Sequence, residues 1–177
     1  MSESNLPVIF KALAFAAAKH RDQRRKDVEA SPYINHPIAL ANLLANIGAV
    51  DDPVTLCAAI LHDTIEDTNT TADELRAAFG SAVCSVVLEV TDDKSLPSSA
   101  RKAAQVEHAP HASERAKLVK LADKISNLTD LAESPPANWT LERRRAYFEW
   151  AREVIAGVRG TNAALEARFD EAYARRP

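Results

Sequence analysis

An apolar stretch from Val54 to Leu61 runs without a break into His62-Asp63-Thr64-Ile65-Glu66-Asp67. A segment that is apolar nearly all round belongs at the centre of a helical packing. The ionisable groups at its end are unfavourable there, because such side chains are seldom buried unless they are paired or coordinate a metal. Carboxylates are also disfavoured at the negative end of a helix dipole. The pattern predicts a central buried helix over 54–65 whose last turns carry chemistry. His62 and Glu66 have the i, i+4 spacing, as do Asp63 and Asp67, so the two pairs stack on adjacent helix faces.

The rest of the chain supports a helical environment for this segment. Glycine occurs only 4 times, period-2 alternation is hard to find, and helical spacing recurs. Leu6 to Lys19 reads as a first helix with Phe10, Leu13, Ala14 and Ala17 on one face. His20 to Tyr33 is polar and basic and reads as a loop. Asn35-His36-Pro37 opens a second helix, with Pro37 suited to its first position and Gly48 to its C-cap. Asp51-Asp52-Pro53 opens the third in the same manner. Thr71-Ala72-Asp73-Glu74 fits a capping box for a short fourth helix closed at Gly80. Ser81 to Thr91 leans to helix despite its β-branched residues. Asp92 to Ser99 reads as a polar loop, Ser113 to Leu131 as a helix ended by Pro135-Pro136, and Thr140 to Arg159 as a long amphipathic helix. Gly160-Thr161 caps a last helix toward Arg175. The expectation is one all-α domain over 1–177, a bundle of about eight helices without coiled-coil heptads.

Composition excludes several classes of function. At 177 residues the chain is long enough for one domain with a proper core, and 46% apolar with 27% charged residues is ordinary for a globular protein. No apolar run approaches the roughly 20 residues that span a bilayer, and Met1 to Phe10 shows no signal-peptide pattern. A net charge of −3 and 6% aromatic residues give no case for nucleic-acid binding. Cys57 and Cys84 make no disulfide framework and read as small buried hydrophobes in a reducing compartment. A cytoplasmic protein is expected. No glycine-rich phosphate loop is present, which argues against a P-loop enzyme.

Two other places can supply partners for the charged helix end. His36 lies at the start of the second helix, where a histidine is usually a cap or a packed side chain. Asp123 interrupts the mostly apolar Leu118-Val119-Lys120-Leu121-Ala122, where a salt bridge with Lys120 or Lys124 is the plain alternative. Together, two imidazoles and two carboxylates suit a divalent ion such as Mn²⁺, Fe²⁺, Co²⁺ or Zn²⁺. The lack of cysteine among them argues against a structural zinc. Lys117, Lys120 and Lys124 share one helix face and read most simply as solvated. Arg21 to Lys26, Lys94, Arg101 and Lys102 are further basic candidates, and His108 and His111 read as surface residues.

The set His36, His62-Asp63 and Asp123 reproduces the H…HD…D pattern of the HD superfamily of metal-dependent phosphohydrolases. Several longer segments match as well: Arg24-Arg25-Lys26-Asp27, Tyr33-Ile34-Asn35-His36-Pro37, Leu61 to Thr68, Val90-Thr91-Asp92-Asp93-Lys94 and Lys120-Leu121-Ala122-Asp123-Lys124. With Tyr147-Phe148-Glu149-Trp150 and Gly160-Thr161-Asn162, they resemble the RelA/SpoT hydrolase domain from about Phe10 to about Ala172. The likeness is strongest to its stand-alone form, the metazoan SpoT homologues and bacterial small alarmone hydrolases.

The resemblance implies a single HD-type domain that removes the 3′-pyrophosphate of the alarmone ppGpp or its pentaphosphate relative, giving GDP or GTP plus pyrophosphate. It implies Mn²⁺ held by His36, His62, Asp63 and Asp123, with Glu66 and Asp67 acting on the attacking water. It implies Arg25 and Lys26 packed on the purine base, and Asn127 and Tyr147 contacting the nucleotide. One departure stands out: metazoan members carry a lysine after the Leu-Pro of this loop, and here Ser98 follows Leu96-Pro97. No RelA/SpoT synthetase domain accompanies the hydrolase segments, so no alarmone synthesis is expected. Stacking by Arg25 tolerates any purine, so ppApp hydrolysis and NADPH 2′-phosphatase activity stay open, as does a silent nucleotide sensor. The intact set of acids and histidines weighs against the sensor. The oligomeric state is not legible.

Overall fold

A computed structural model describes residues 5–177, and these fold into α-helices with no strand beyond one isolated bridge between Arg24 and Pro32. The helices are α1 (Leu6–Lys19), α2 (Asn35–Asn42), α3 (Pro53–Leu61), α4 (Thr64–Asp67), α5 (Ala72–Val90), α6 (Ser98–His108), α7 (Glu114–Glu133), α8 (Leu141–Ala156) and α9 (Ala163–Ala174). A π-helical turn, Leu43–Ile47, extends α2, and a 3-10 turn, Ala109–His111, follows α6.

As its sequence predicts, α3 is central. Every residue from Thr55 to Leu61 is buried, and the helix packs against α1, α2, α5 and α7. The second organising element is α7, which touches α2, α3, α5, α8 and α9. Leu61 from α3, Leu121, Ile125 and Leu128 from α7, and Phe148 from α8 are almost fully buried in the shared core. The site is built where these two helices come together.

Side-chain caps set most helix starts. Asp52 accepts the Thr55 N–H at 3.0 Å, Ser113 the Ala116 N–H at 3.2 Å, and Asn162 the Leu165 N–H at 3.1 Å. Only half of the expected capping box forms. Thr71 accepts the Glu74 N–H at 3.1 Å, but the Glu74 carboxylate turns to Lys19 at 2.9 Å and ties α5 to α1.

The structure corrects two sequence expectations. First, the helix expected over 54–65 breaks. It ends at Leu61, His62 and Asp63 form a turn, and the chain restarts as α4. The Asp63 and Asp67 carboxylates therefore do not stack along one continuous helix. Secondly, α6 was not foreseen. It buries no residue, so its sequence has no apolar stripe to betray it. Tertiary contact holds it instead: the Trp150 Nε1–H on α8 donates to the Lys102 carbonyl at 3.0 Å. The two glycine expectations hold. Gly80 closes the first helical part of α5, with φ 84° and ψ 168°, a backbone region that only glycine adopts readily, and a second part follows the kink. Gly48 is the C-cap of the π-helical turn that extends α2, in a right-handed conformation with φ −77°. A glycine is needed because a Cβ there would lie 2.9 Å from Leu165 Cδ1 and from the Leu44 carbonyl oxygen.

Cys57 and Cys84 are buried free thiols, and His108 and His111 are exposed, as expected. No described helix is long and apolar enough to cross a membrane.

Candidate active site

The turn at the end of α3 presents His62 and Asp63 toward α2 and α7. The His62 Nδ1 lies 2.9 Å from the Ala59 carbonyl, which can only accept, so Nδ1 carries the proton. That leaves Nε2 aimed at Asp63 Oδ2, 2.9 Å away. His36, near the start of α2, packs its ring 5.2 Å from that of His62. Its Nδ1 meets Ser126 Oγ at 3.1 Å, and its Nε2 faces Asp123 Oδ1 at 3.3 Å and Asp63 Oδ2 at 3.9 Å. The ligating atoms of His36, His62 and Asp123 all lie within 4.8 Å of one another. Each histidine thus fixes its far nitrogen with a neighbour and turns the near one inward, an arrangement typical of metal ligands.

Charge at this cluster is strongly coupled. Burial disfavours ionisation of Asp63, yet the adjacent His62 more than offsets it and holds the carboxyl well below its ordinary range. Burial likewise opposes ionisation of Asp123, but Lys124 at 2.8 Å and His36 keep it ionised. His62 is buried too, and Asp63 still raises it to about 9. Two imidazole nitrogens and two carboxylates converging without a thiolate fit a divalent first-row ion. Asp123 does make the salt bridge that was its plain alternative, but with one oxygen only. Its Oδ1 faces His36 and takes the Asn127 Nδ2–H at 2.7 Å.

Glu66 and Asp67 stand beside the cluster on α4. Burial raises the Glu66 carboxyl above its usual range, and Asp63, Asp92 and Asp67 add to the effect. Glu66 Oε2 is fixed by the Asp92 N–H at 3.0 Å. Asp67 is held by Lys94 and lies 3.5 Å from the Tyr33 hydroxyl, which also bonds Asp63.

Two adjoining cavities meet at this point. One, of about 360 Å³, is lined by the four candidate ligands, Glu66 and Asp67. The other, of about 390 Å³, has Leu131, Pro136 and Trp139 in its wall. Arg25, Lys26, Asn127 and Tyr147 border both cavities, so the structure brings all ten residues singled out in the sequence to one cleft. Arg25 is anchored rather than free. It pairs with Asp130, reaches Asn127 Oδ1 at 3.4 Å, and sits 5.7 Å from the Tyr33 ring. Lys26 is exposed at the rim. Tyr147 is packed between Trp139 and Trp150, at 5.8 and 5.1 Å, and burial pushes its hydroxyl up to about 12.

Sequence reasoning gave no role to Tyr33, Ser126, Asp130, Gln105 or Trp139. Tyr33 lies within a segment already singled out, three residues before His36, which was its one visible signal. The reading of Lys120 and Lys124 as a solvated face is wrong. They are 6% and 3% exposed and line the metal-side cavity. Ser98 is exposed and lines neither cavity.

Comparison with known proteins places this geometry in a family. A family model described as "HD domain" matches residues 12–149. A Danio rerio protein named guanosine-3′,5′-bis(diphosphate) 3′-pyrophosphohydrolase MESH1 is 51% identical over 176 residues, covering 99% of this chain and 98% of its own. The Homo sapiens protein of the same name is 52% identical over 168 residues, covering 95% and 94%. A solved structure described as a metazoan orthologue of SpoT that hydrolyses ppGpp superposes with a TM-score of 0.93 at 47% identity, covering 96% of this chain and 95% of that one. A Listeria monocytogenes structure superposes with a TM-score of 0.63 at 29% identity, covering 79% of this chain and 94% of its own. The chain belongs to the HD-domain family and, within it, groups with the stand-alone SpoT-like proteins.

Proposed function

We propose that the chain is one HD-type hydrolase domain that removes the 3′-pyrophosphate of ppGpp, using a divalent ion, Mn²⁺, held by His36, His62, Asp63 and Asp123. The observation that carries the reading is the convergence of those four donors beside Glu66, at the junction of two cavities bordered by cations. The names of the similar proteins support the same substrate. A bound divalent ion supplies Lewis acidity toward a phosphoryl oxygen and favours deprotonation of water.

The remaining chemistry belongs to the chain. Glu66, with its raised pKa and fixed Oε2, takes the proton of the attacking water. The water oxygen bonds to the phosphorus carried on the 3′-oxygen, the 3′-oxygen–phosphorus bond breaks, and the 3′-oxygen takes up a proton. The products are GDP and pyrophosphate. Asp67, held by Lys94 and Tyr33, orients the water. The nucleoside occupies the cavity walled by Trp139 and Leu131, where the planar Arg25 guanidinium, fixed by Asp130, offers a stacking surface. Lys26 packs on the base beside Arg25, and Asn127 and Tyr147 contact the nucleotide where the two cavities adjoin. The buried free thiols support a reducing, cytoplasmic setting.

Product analysis with purified protein and Mn²⁺ tests this reading, with ppGpp, ppApp and NADPH offered separately and an EDTA control. GDP and pyrophosphate from ppGpp, abolished by EDTA, are expected. Turnover of only ppApp or NADPH would keep the site and move the substrate. No turnover of any of them by the metal-loaded protein would overturn the catalytic reading in favour of a sensor.

A further inference from the structure

Most ionised groups in the metal-side cavity are paired within the protein. Lys124 is matched by Asp123 at 2.8 Å and His62 by Asp63 at 2.9 Å, while Arg25 is matched by Asp130, and Asp67 by Lys94 from outside the lining. Both Asp92 oxygens lie 2.9 Å from Gln105 Nε2. Lys26 also lacks a partner among the described residues, but it is exposed to solvent at the rim. Lys120 differs in being buried. It lines this cavity from α7, is 6% exposed, and makes no hydrogen bond or ion pair with any described residue.

Its neighbours in sequence, Val119 and Leu121, are buried apolar residues. An ammonium group so placed without a partner destabilises the fold, and an apolar side chain of similar length would be better tolerated. Burial and the nearby Lys124 both push its pKa down, against Asp123, Asp92 and Glu66. The missing component is an anion. Trp150 lines the same cavity, with the Lys124 ammonium 4.4 Å and the Lys102 ammonium 5.0 Å from its ring, so further positive charge stands close by.

Position identifies which anion. Lys120 borders the metal-side cavity and not the nucleoside-side one. The phosphorus bonded to the 3′-oxygen must lie at Glu66 and the ligand cluster. The second phosphate of the pyrophosphate, one P–O–P bridge farther from the nucleoside, is the one that extends beyond them.

Resting on the hydrolase reading above, we propose that Lys120 binds the terminal phosphate of the 3′-pyrophosphate and so sets a preference for pyrophosphate over a single phosphate as the released group. As a compact charge with three donors, it suits a freely oriented terminal phosphate better than a fixed planar fork would.

The test is equilibrium dialysis of the Mn²⁺-loaded protein against labelled pyrophosphate and, separately, labelled GDP, with the ion in excess of the pyrophosphate. In Lys120→Met, pyrophosphate affinity should fall at least about tenfold and kcat/KM on ppGpp roughly 100-fold. GDP affinity should hold, and Tm should stay level or rise. Lys120→Arg should recover part of the pyrophosphate binding. Unchanged pyrophosphate binding in Lys120→Met would overturn the proposal. So would a joint loss of pyrophosphate, GDP and Tm, which marks a structural role. A wild-type protein that binds pyrophosphate but leaves ppGpp intact would refute the hydrolase reading, and the Lys120→Met comparison would still decide this one.

Discussion

At the scale of single residues, the site rests on hydrogen bonds that leave one nitrogen of each histidine for the ion. Ser126 does this for His36 at 3.1 Å, and the Ala59 carbonyl does it for His62 at 2.9 Å. Only the first can be removed by substitution. Ser126→Ala should weaken Mn²⁺ binding by about 10- to 100-fold, read by metal titration. Asp123→Ala and His62→Ala should lose metal and turnover together. Glu66→Gln should separate the two, keeping the metal while kcat drops by about 10²- to 10⁴-fold. A Glu66→Gln protein that turned over at the wild-type rate would remove Glu66 from its assigned role.

At the scale of elements, the decisive feature is the turn between α3 and α4. A continuous helix would leave the HD pair on its rim, and ending the helix at Leu61 frees these side chains to point at α2 and α7. The start of α3 is fixed as firmly. Asp52 accepts from the Thr55 N–H and from Arg115 Nε at 2.8 Å. Burial opposes ionisation of Asp52, but Arg115 and Thr55 outweigh it and lower its pKa. The stability it contributes is therefore present above its unfolded pKa of about 3.9 and is lost as pH falls through the lower folded value. Asp52→Ala should cost about 1 kcal/mol at pH 7, with the gap to wild type closing in acid, as measured by denaturant titration at several pH values. Gly80→Ala should cost about 1–3 kcal/mol by the same measurement. That cost is purely backbone strain, since an added Cβ would meet nothing within 4 Å.

At the scale of the molecule, the proposed donors come from α2, the α3–α4 turn and α7, so an ion held there would link separate parts of the fold. A ligand that binds only the folded state stabilises it in proportion to the logarithm of its excess over Kd, about 2.7 kcal/mol at a hundredfold excess. Removing the metal with EDTA should lower Tm and abolish turnover, and adding Mn²⁺ back should restore both. Calorimetry with and without chelator checks this, and an unchanged Tm would place the ion outside the folded framework.

The all-α class, the buried α3 and the histidines and acids His36, His62, Asp63, Glu66, Asp67 and Asp123 were legible in the chain itself. Helical periodicity, capping residues and charges placed against an apolar run are local signals. The ordered match to a family added Arg25, Lys26, Asn127 and Tyr147 as expected substrate contacts. What only the tertiary structure decided depends on contacts between distant segments. Helix α6 has no buried face of its own and is held by Trp150. Tyr33 joins the site because its hydroxyl reaches Asp63 and Asp67 across the cleft. Lys120 looked like part of a solvated stripe, since a lysine in sequence carries no mark of what packs around it. Its burial appears only when other helices pack against α7 and contribute Val90 and Trp150 to the cavity that Lys120 also lines.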